Sequence, residues 1–247
     1  MSDVALLAGA GALTALATGL GAVPVFLLGE RAAALRPLLW GLAIGLMGVA
    51  SFVGLLLPAL DEGSGTAVAG GVVGGGAFLW LTRRRLHARD VHVGSLRGKD
   101  VRTSVLVFAV LLVHSLPEGL AIGTAWASST EGLALFVVLA IALQNVPEGT
   151  SVAIPMEAAG FGRGAQFWTA VLTSAPQPVG ALVAYALIEQ VKSLLPVSFA
   201  FAAGAMLALI ATELVPSAYR SATWRSAAGG TALGGAAMLA LSWALGV

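Results

Sequence analysis

Two short stretches of this chain bring together groups that can hold or move a cation: His114-Ser-Leu-Pro-Glu118-Gly and Gln144-Asn-Val-Pro-Glu148-Gly. In each, the outer polar residues are four apart, which on a helix puts both on one face, about 6 Å apart along the axis. Together they supply an imidazole, an amide oxygen and two carboxylates. That set completes most of the coordination shell of a divalent ion and neutralises its charge. The proline ahead of each glutamate frees, within a helix, the carbonyl four residues back. Here those carbonyls belong to Val113 and Leu143, one residue before each ligand pair. The glycines that follow, Gly119 and Gly149, allow another helix to come close.

The elements that carry these motifs must lie in lipid. Of 247 residues, 58% are hydrophobic and 10% charged, against about 25% charged in a soluble domain. The mean hydropathy is +0.92. Ala, Gly and Leu dominate, which favours closely packed helices, and the short alternating segments of a membrane barrel are missing. At about 20 apolar residues per crossing, the sequence predicts an all-α membrane protein of eight transmembrane helices in one domain. They fall near Val4–Leu28, Pro37–Leu60, Gly65–Thr82, Val101–Ala127, Leu133–Pro155, Gly164–Ile188, Leu194–Ser217 and Ser226–Leu245. The first lacks a positive n-region and is read as a retained helix, not a cleaved signal.

With the N-terminus outside, twelve of the 13 basic residues fall in inner loops: Arg31, Arg36, Arg83, Arg84, Arg85, Arg89, Arg97, Lys99, Arg102, Arg163, Arg220 and Arg225. Only Lys192 is then outside. This positive-inside bias places both termini outside the cytoplasm and makes residues 83–100 a cytoplasmic loop. The fourth and fifth spans then run antiparallel with the two motifs facing each other near mid-membrane. A charge at that depth costs from about 2.5 kcal/mol upward, so Glu118, Glu148 and Glu213 are functional candidates. No cysteine is present, which excludes thiolate ligands and leaves donors suited to borderline or hard ions. A net charge of +1, with no basic tail, gives no sign of nucleic-acid binding.

Three functions fit the residues so far. One is transport of a divalent ion. Another is intramembrane metal-dependent hydrolysis, against which stand the missing His-Glu-x-x-His motif and the lack of a third mid-membrane histidine. The third is proton conduction through His and Glu without metal. A fourth possibility is that the two pairs merely bond helices together, which a repeat on consecutive spans argues against.

The paired motifs resemble the ZIP (Zrt-, Irt-like protein) divalent-metal transporters, especially their bacterial GufA-like branch. Those proteins carry H-[NS]-x-P-E-G in the fourth helix and [HQ]-[END]-x-P-E-G in the fifth. The resemblance extends to Leu16–Pro24, Met47–Phe52, Phe201–Met206 and Thr212–Pro216, and so covers nearly the whole chain. It implies a fold in which helices 1–3 and 6–8 form inverted repeats around helices 4 and 5, working as a homodimer by alternating access. It implies no enzyme and no prosthetic group. The substrate would be a divalent ion moving toward the cytoplasm across a bacterial inner membrane: zinc, or cadmium, iron, manganese or cobalt.

By the same resemblance the site is His114, Glu118, Gln144 and Glu148, with the Met47 thioether beside it. The positions that hold a second metal in many relatives correspond here to Ser115, Asn145 and Gln177. All three are neutral, so a second dication would meet little compensating charge. The sequence therefore points to one ion, with Asn145 and Gln177 as weak ligands or hydrogen-bonding supports. Glu213 is either an exit-path ligand or a helix-end carboxylate reaching for water. His87 and His92 lie among cations and read as a solvated loop, Asp61 and Glu62 as an acidic outer mouth, and Arg83–Arg85 as a lipid-headgroup anchor.

Overall fold

A computed structural model describes residues 3–87, 99–219 and 223–247. Among them every regular element is helical. Helix α1 (Asp3–Leu20) and the short α2 (Val23–Leu28) are separated at Gly21-Ala22. A tight turn at Gly29, with φ +54°, and a 3₁₀ segment (Gly29–Leu35) lead into α3 (Arg36–Val49), a π segment (Ala50–Leu56) and α4 (Leu57–Glu62). Three long helices follow: α5 (Gly65–His87), α6 (Lys99–Ala127) and α7 (Leu133–Ala158). Next come α8 (Arg163–Thr173) and α9 (Pro176–Gln190), and then α10 (Leu195–Leu209), a second π segment (Ile210–Leu214) and α11 (Val215–Tyr219). Helix α12 (Trp224–Leu245) closes the chain.

Seven helical stretches among the described residues are long and apolar enough to cross a membrane. The first, Asp3–Glu62, is 60 residues long and contains two of the sequence-predicted spans. The third predicted span is longer than its glycine content suggests, because α5 continues past Thr82 to His87. Two other spans are broken where the sequence reads as continuous. The breaks at Gly21-Ala22 and Ser174-Ala175 each precede a helix with proline in its first turn, where a missing N–H costs nothing. By contrast, α6 and α7 run unbroken through Pro117 and Pro147.

Glycine sets the distance between the principal helix pairs. A Cβ on Gly123 of α6 would meet the Ala181 carbonyl of α9, and one on Gly180 would meet Leu116 in return. The same reciprocal contact joins α1 to α7 at Gly21 and Gly149, α3 to α12 at Gly45 and Gly234, and α5 to α10 at Gly75 and Gly204. Such backbone approach is how helices associate where lipid removes the hydrophobic drive. The ties between α6 and α10 and between α3 and α7 are of another kind. Thr124 Oγ1 lies 2.6 Å from Ser198 Oγ, and Trp40 Nε1 donates to Ser151 Oγ at 3.1 Å. Large exposed side chains such as Leu13, Leu27, Val73 and Trp243 lie on the outside, as a lipid-facing surface requires.

Gly123→Leu should cost about 1–3 kcal/mol by forcing α6 and α9 apart. This would be read as a lower melting temperature in detergent. Gly70→Ala, at a glycine with nothing within 4 Å of an added Cβ, should leave the melting temperature unchanged.

Candidate metal centre

Helices α6 and α7 cross at the two motifs, and the four-residue spacing does on each what it predicts. His114 and Glu118 are fully buried on one face of α6, Gln144 and Glu148 are buried on α7, and the two faces meet. His114 Nε2 lies 3.4 Å from Glu118 Oε1 and 3.9 Å from Glu148 Oε1. One ligand atom from each of His114, Glu118 and Glu148 lies within 4.8 Å of the others. Two atoms bound to one zinc ion at about 2.1 Å stand about 3.4 Å apart in tetrahedral geometry and never more than about 4.2 Å. The two histidine–carboxylate separations therefore already match a shared ion.

Hydrogen bonding leaves the centre of this cluster unsatisfied. Both nitrogens of His114, Oε1 of Gln144 and Oε1 of Glu148 are buried without a hydrogen-bond partner. A buried polar atom left unpaired costs about 1–3 kcal/mol, and four in one place mark a site shaped for something else. Donors that converge with acceptor atoms free suit a divalent cation.

Both oxygens of Glu118 accept hydrogen bonds. Its Oε1 accepts a short hydrogen bond from Gln144 Nε2, and its Oε2 accepts one of 2.7 Å from Gln177 Nε2. Gln177 and Asn145 bond to each other both ways, at 3.2 and 3.3 Å, and Asn145 Nδ2 also donates to the Thr14 carbonyl at 2.7 Å. The break before α9 makes this possible, since it lets the first turn of α9 press against Gly119. The partial positive charge of that helix end then falls beside the Glu118 carboxylate. Thr18 Oγ1 and Ser174 Oγ, 2.6 Å apart, hold α1 against the same break.

Ser115 is buried and donates its hydroxyl to the Leu111 carbonyl at 2.9 Å. Met47 is fully buried on α3 in the apolar core that also contains Val137 and Ile141 of α7. Glu213 stands outside the cluster, on the π segment, and pairs with Arg83 of α5. Arg83 is thus engaged within the protein, where the sequence suggested a lipid anchor. Glu62 accepts from Ser128 at 3.4 Å at the opposite end. His92 and most of the 83–100 loop lie outside the described residues.

A cavity of about 280 Å³ reaches the cluster at Pro147 and Glu148 and extends past Ser151, Trp40 and Arg36 to Glu213 and Ser217. Of its wall, the sequence singled out Glu148 and Glu213, while Ser151, three residues after Glu148, and Trp40, four after Arg36, went unmarked. The Arg36 guanidinium sits 5.7 Å from the Trp40 ring centre.

A family model described as ZIP Zinc transporter matches residues 82–242. The chain is 34% identical to the zinc transporter GufA of Myxococcus xanthus over 220 residues, 84% of this chain and 86% of that protein. It is 34% identical to the zinc transporter ZIPB of Bordetella bronchiseptica over 248 aligned residues, 93% of this chain and 78% of that one. A relative from Arabidopsis thaliana is 35% identical over 233 residues, which is 92% of this chain but 37% of the plant protein's own length. With the paired motifs, the helical architecture and these matches in agreement, the chain belongs to the ZIP zinc transporter family, a family of membrane transporters and not of enzymes.

Proposed function

We propose that this protein carries a divalent transition-metal ion, zinc foremost, across the membrane toward the cytoplasm through one site between α6 and α7. The observation that carries this reading is the convergence of His114, Glu118 and Glu148 within 4.8 Å. His114, Glu118, Gln144 and Glu148 are the ligands, and a turn of the Gln144 amide exchanges its hydrogen bond to Glu118 for a carbonyl oxygen on the ion. Cadmium, iron(II), manganese and cobalt suit the same donors. Asn145 and Gln177 hold the site from outside, and no carboxylate stands at those positions or at Ser115 to balance a second dication.

Eight crossings follow if the 60-residue stretch Asp3–Glu62 crosses twice. At 1.5 Å per residue it would run about 90 Å, three times the hydrocarbon thickness, so it must fold back, and the turn at Gly29 is where it does. An inverted repeat of helices 1–3 and 6–8 is supported by how the helices pair. α3 with α12 corresponds to α10 with α5, and α1 with α7 to α9 with α6. The π segments after α3 and α10 correspond in the same way, as do the breaks after α1 and α8. The cavity lined by Glu148 is also lined by Arg36 and Glu213, which lie toward the end that the basic loops assign to the cytoplasm. It serves as the release path of one state in an alternating-access cycle, with Glu213 at its mouth. Both termini lie outside, in a bacterial inner membrane, and the protein works as a homodimer.

In proteoliposomes, His114→Ala and Glu148→Ala should each lower zinc uptake by more than about 100-fold, beyond the usual loss of an outer supporting partner. Ser115→Ala should transport like the parent. Unimpaired uptake by either ligand variant would refute the site. Because the chain has no cysteine of its own, topology can be read with single cysteines. Ser64→Cys and Ser129→Cys should react with an impermeant maleimide on intact cells, and Arg163→Cys only after permeabilisation. The reverse pattern would invert the orientation.

A further inference from the structure

We infer that Gln177 is a specificity-determining residue: by occupying one oxygen of Glu118 it makes that carboxylate a one-oxygen ligand and so favours a small four-coordinate ion over a larger one. The inference rests on the single-ion reading above and deepens it. Gln177 Nε2 donates to Glu118 Oε2 at 2.7 Å, and both residues are fully buried. The other oxygen, Oε1, faces His114 at 3.4 Å and accepts from the Gln144 amide, the bond that the turn of that amide releases to the ion. A carboxylate with both oxygens free can chelate, and large ions of flexible geometry and high coordination number use this mode. Zinc, held tetrahedrally by one atom per ligand, does not need it.

Gln177 cannot easily turn away. Its amide and that of Asn145 form a closed reciprocal pair at 3.2 and 3.3 Å. The second N–H of Asn145 is held by the Thr14 carbonyl at 2.7 Å. Every N–H of the two amides is thereby used, and rotating either would leave a buried donor unpaired. The Gln177 backbone is fixed too, because its carbonyl lies against Gly119. Three elements besides α6 therefore converge to hold one oxygen of one carboxylate: α1 through a main-chain carbonyl, α7 through Asn145 and α9 through Gln177.

The test is equilibrium binding of zinc and of cadmium, each metal alone, to the full-length protein in detergent, with melting temperature recorded alongside. For Gln177→Met, which keeps the length and loses the donor, zinc affinity should fall by roughly tenfold while cadmium affinity changes less than about twofold. Asn145→Ser, which loosens Gln177 without removing it, should shift the zinc-to-cadmium ratio the same way by a smaller factor. It decides the matter if Gln177→Met does not fold. Equal loss of both metals, or an unchanged ratio in the variants that fold, would overturn the inference and leave the single-ion reading standing. A parent protein that binds neither metal would overturn both.

Discussion

Glu118 and Glu148 place two carboxylates out of water within one helix-crossing, and the neighbourhood is arranged around the cost of doing so. A buried charge is tolerated only when paired or hydrogen-bonded. The two carboxylates are treated differently. Glu118 is surrounded by donors, from Gln144 and Gln177, with the start of α9 alongside. Glu148 has an oxygen with no donor at all and lies on the cavity wall. One carboxylate is therefore held by the protein's own donors, and the other keeps an unpaired oxygen at the cavity wall.

That division explains why the interrupted helices matter. A continuous sixth span would carry its backbone past Glu118 with every N–H already bonded within the helix. Breaking it at Ser174-Ala175 creates a helix end at that depth, and with it both the donor side chain of Gln177 and the dipole's positive end. Irregular backbone within a membrane is tolerated where it is buried in protein. Here Thr18 and Ser174 bond to each other across the break. The corresponding break after α1 lets Gly21 and Gly149 approach each other.

Much of this was legible in the sequence, for reasons tied to particular residues. His114 and Glu118, like Gln144 and Glu148, are four apart, so helix geometry alone assigns them a common face. Gln177 is 59 residues from Glu118, and its contact depends on where α9 begins, which no local pattern encodes; only the family resemblance pointed to it. The pairing of Arg83 with Glu213 was hidden because an arginine at the end of a span ordinarily reads as a lipid anchor. The single helix expected over Val4–Leu28 is interrupted because Gly21 must meet α7, a tertiary demand that its apolar run conceals. Both π segments fall in stretches that read as ordinary helix, at Ala50–Leu56 and Ile210–Leu214.

The glycine seams also divide the molecule mechanically. Along the spans they lie within α1–α7 and α6–α9 on one side, and within α3–α12 and α5–α10 on the other. Where α6 meets α10 and α3 meets α7, the contacts are made by side chains: the hydrogen bonds of Thr124 to Ser198 and Trp40 to Ser151, the apolar packing of Ile122, Phe199, Met47 and Ile141, and the ring of Phe136 against Gly54. Locked backbones resist shear, whereas hydroxyl and indole groups can trade partners at little cost. The contacts between the two groups are thus made by side chains, which can repack without parting the backbones that the glycines hold together.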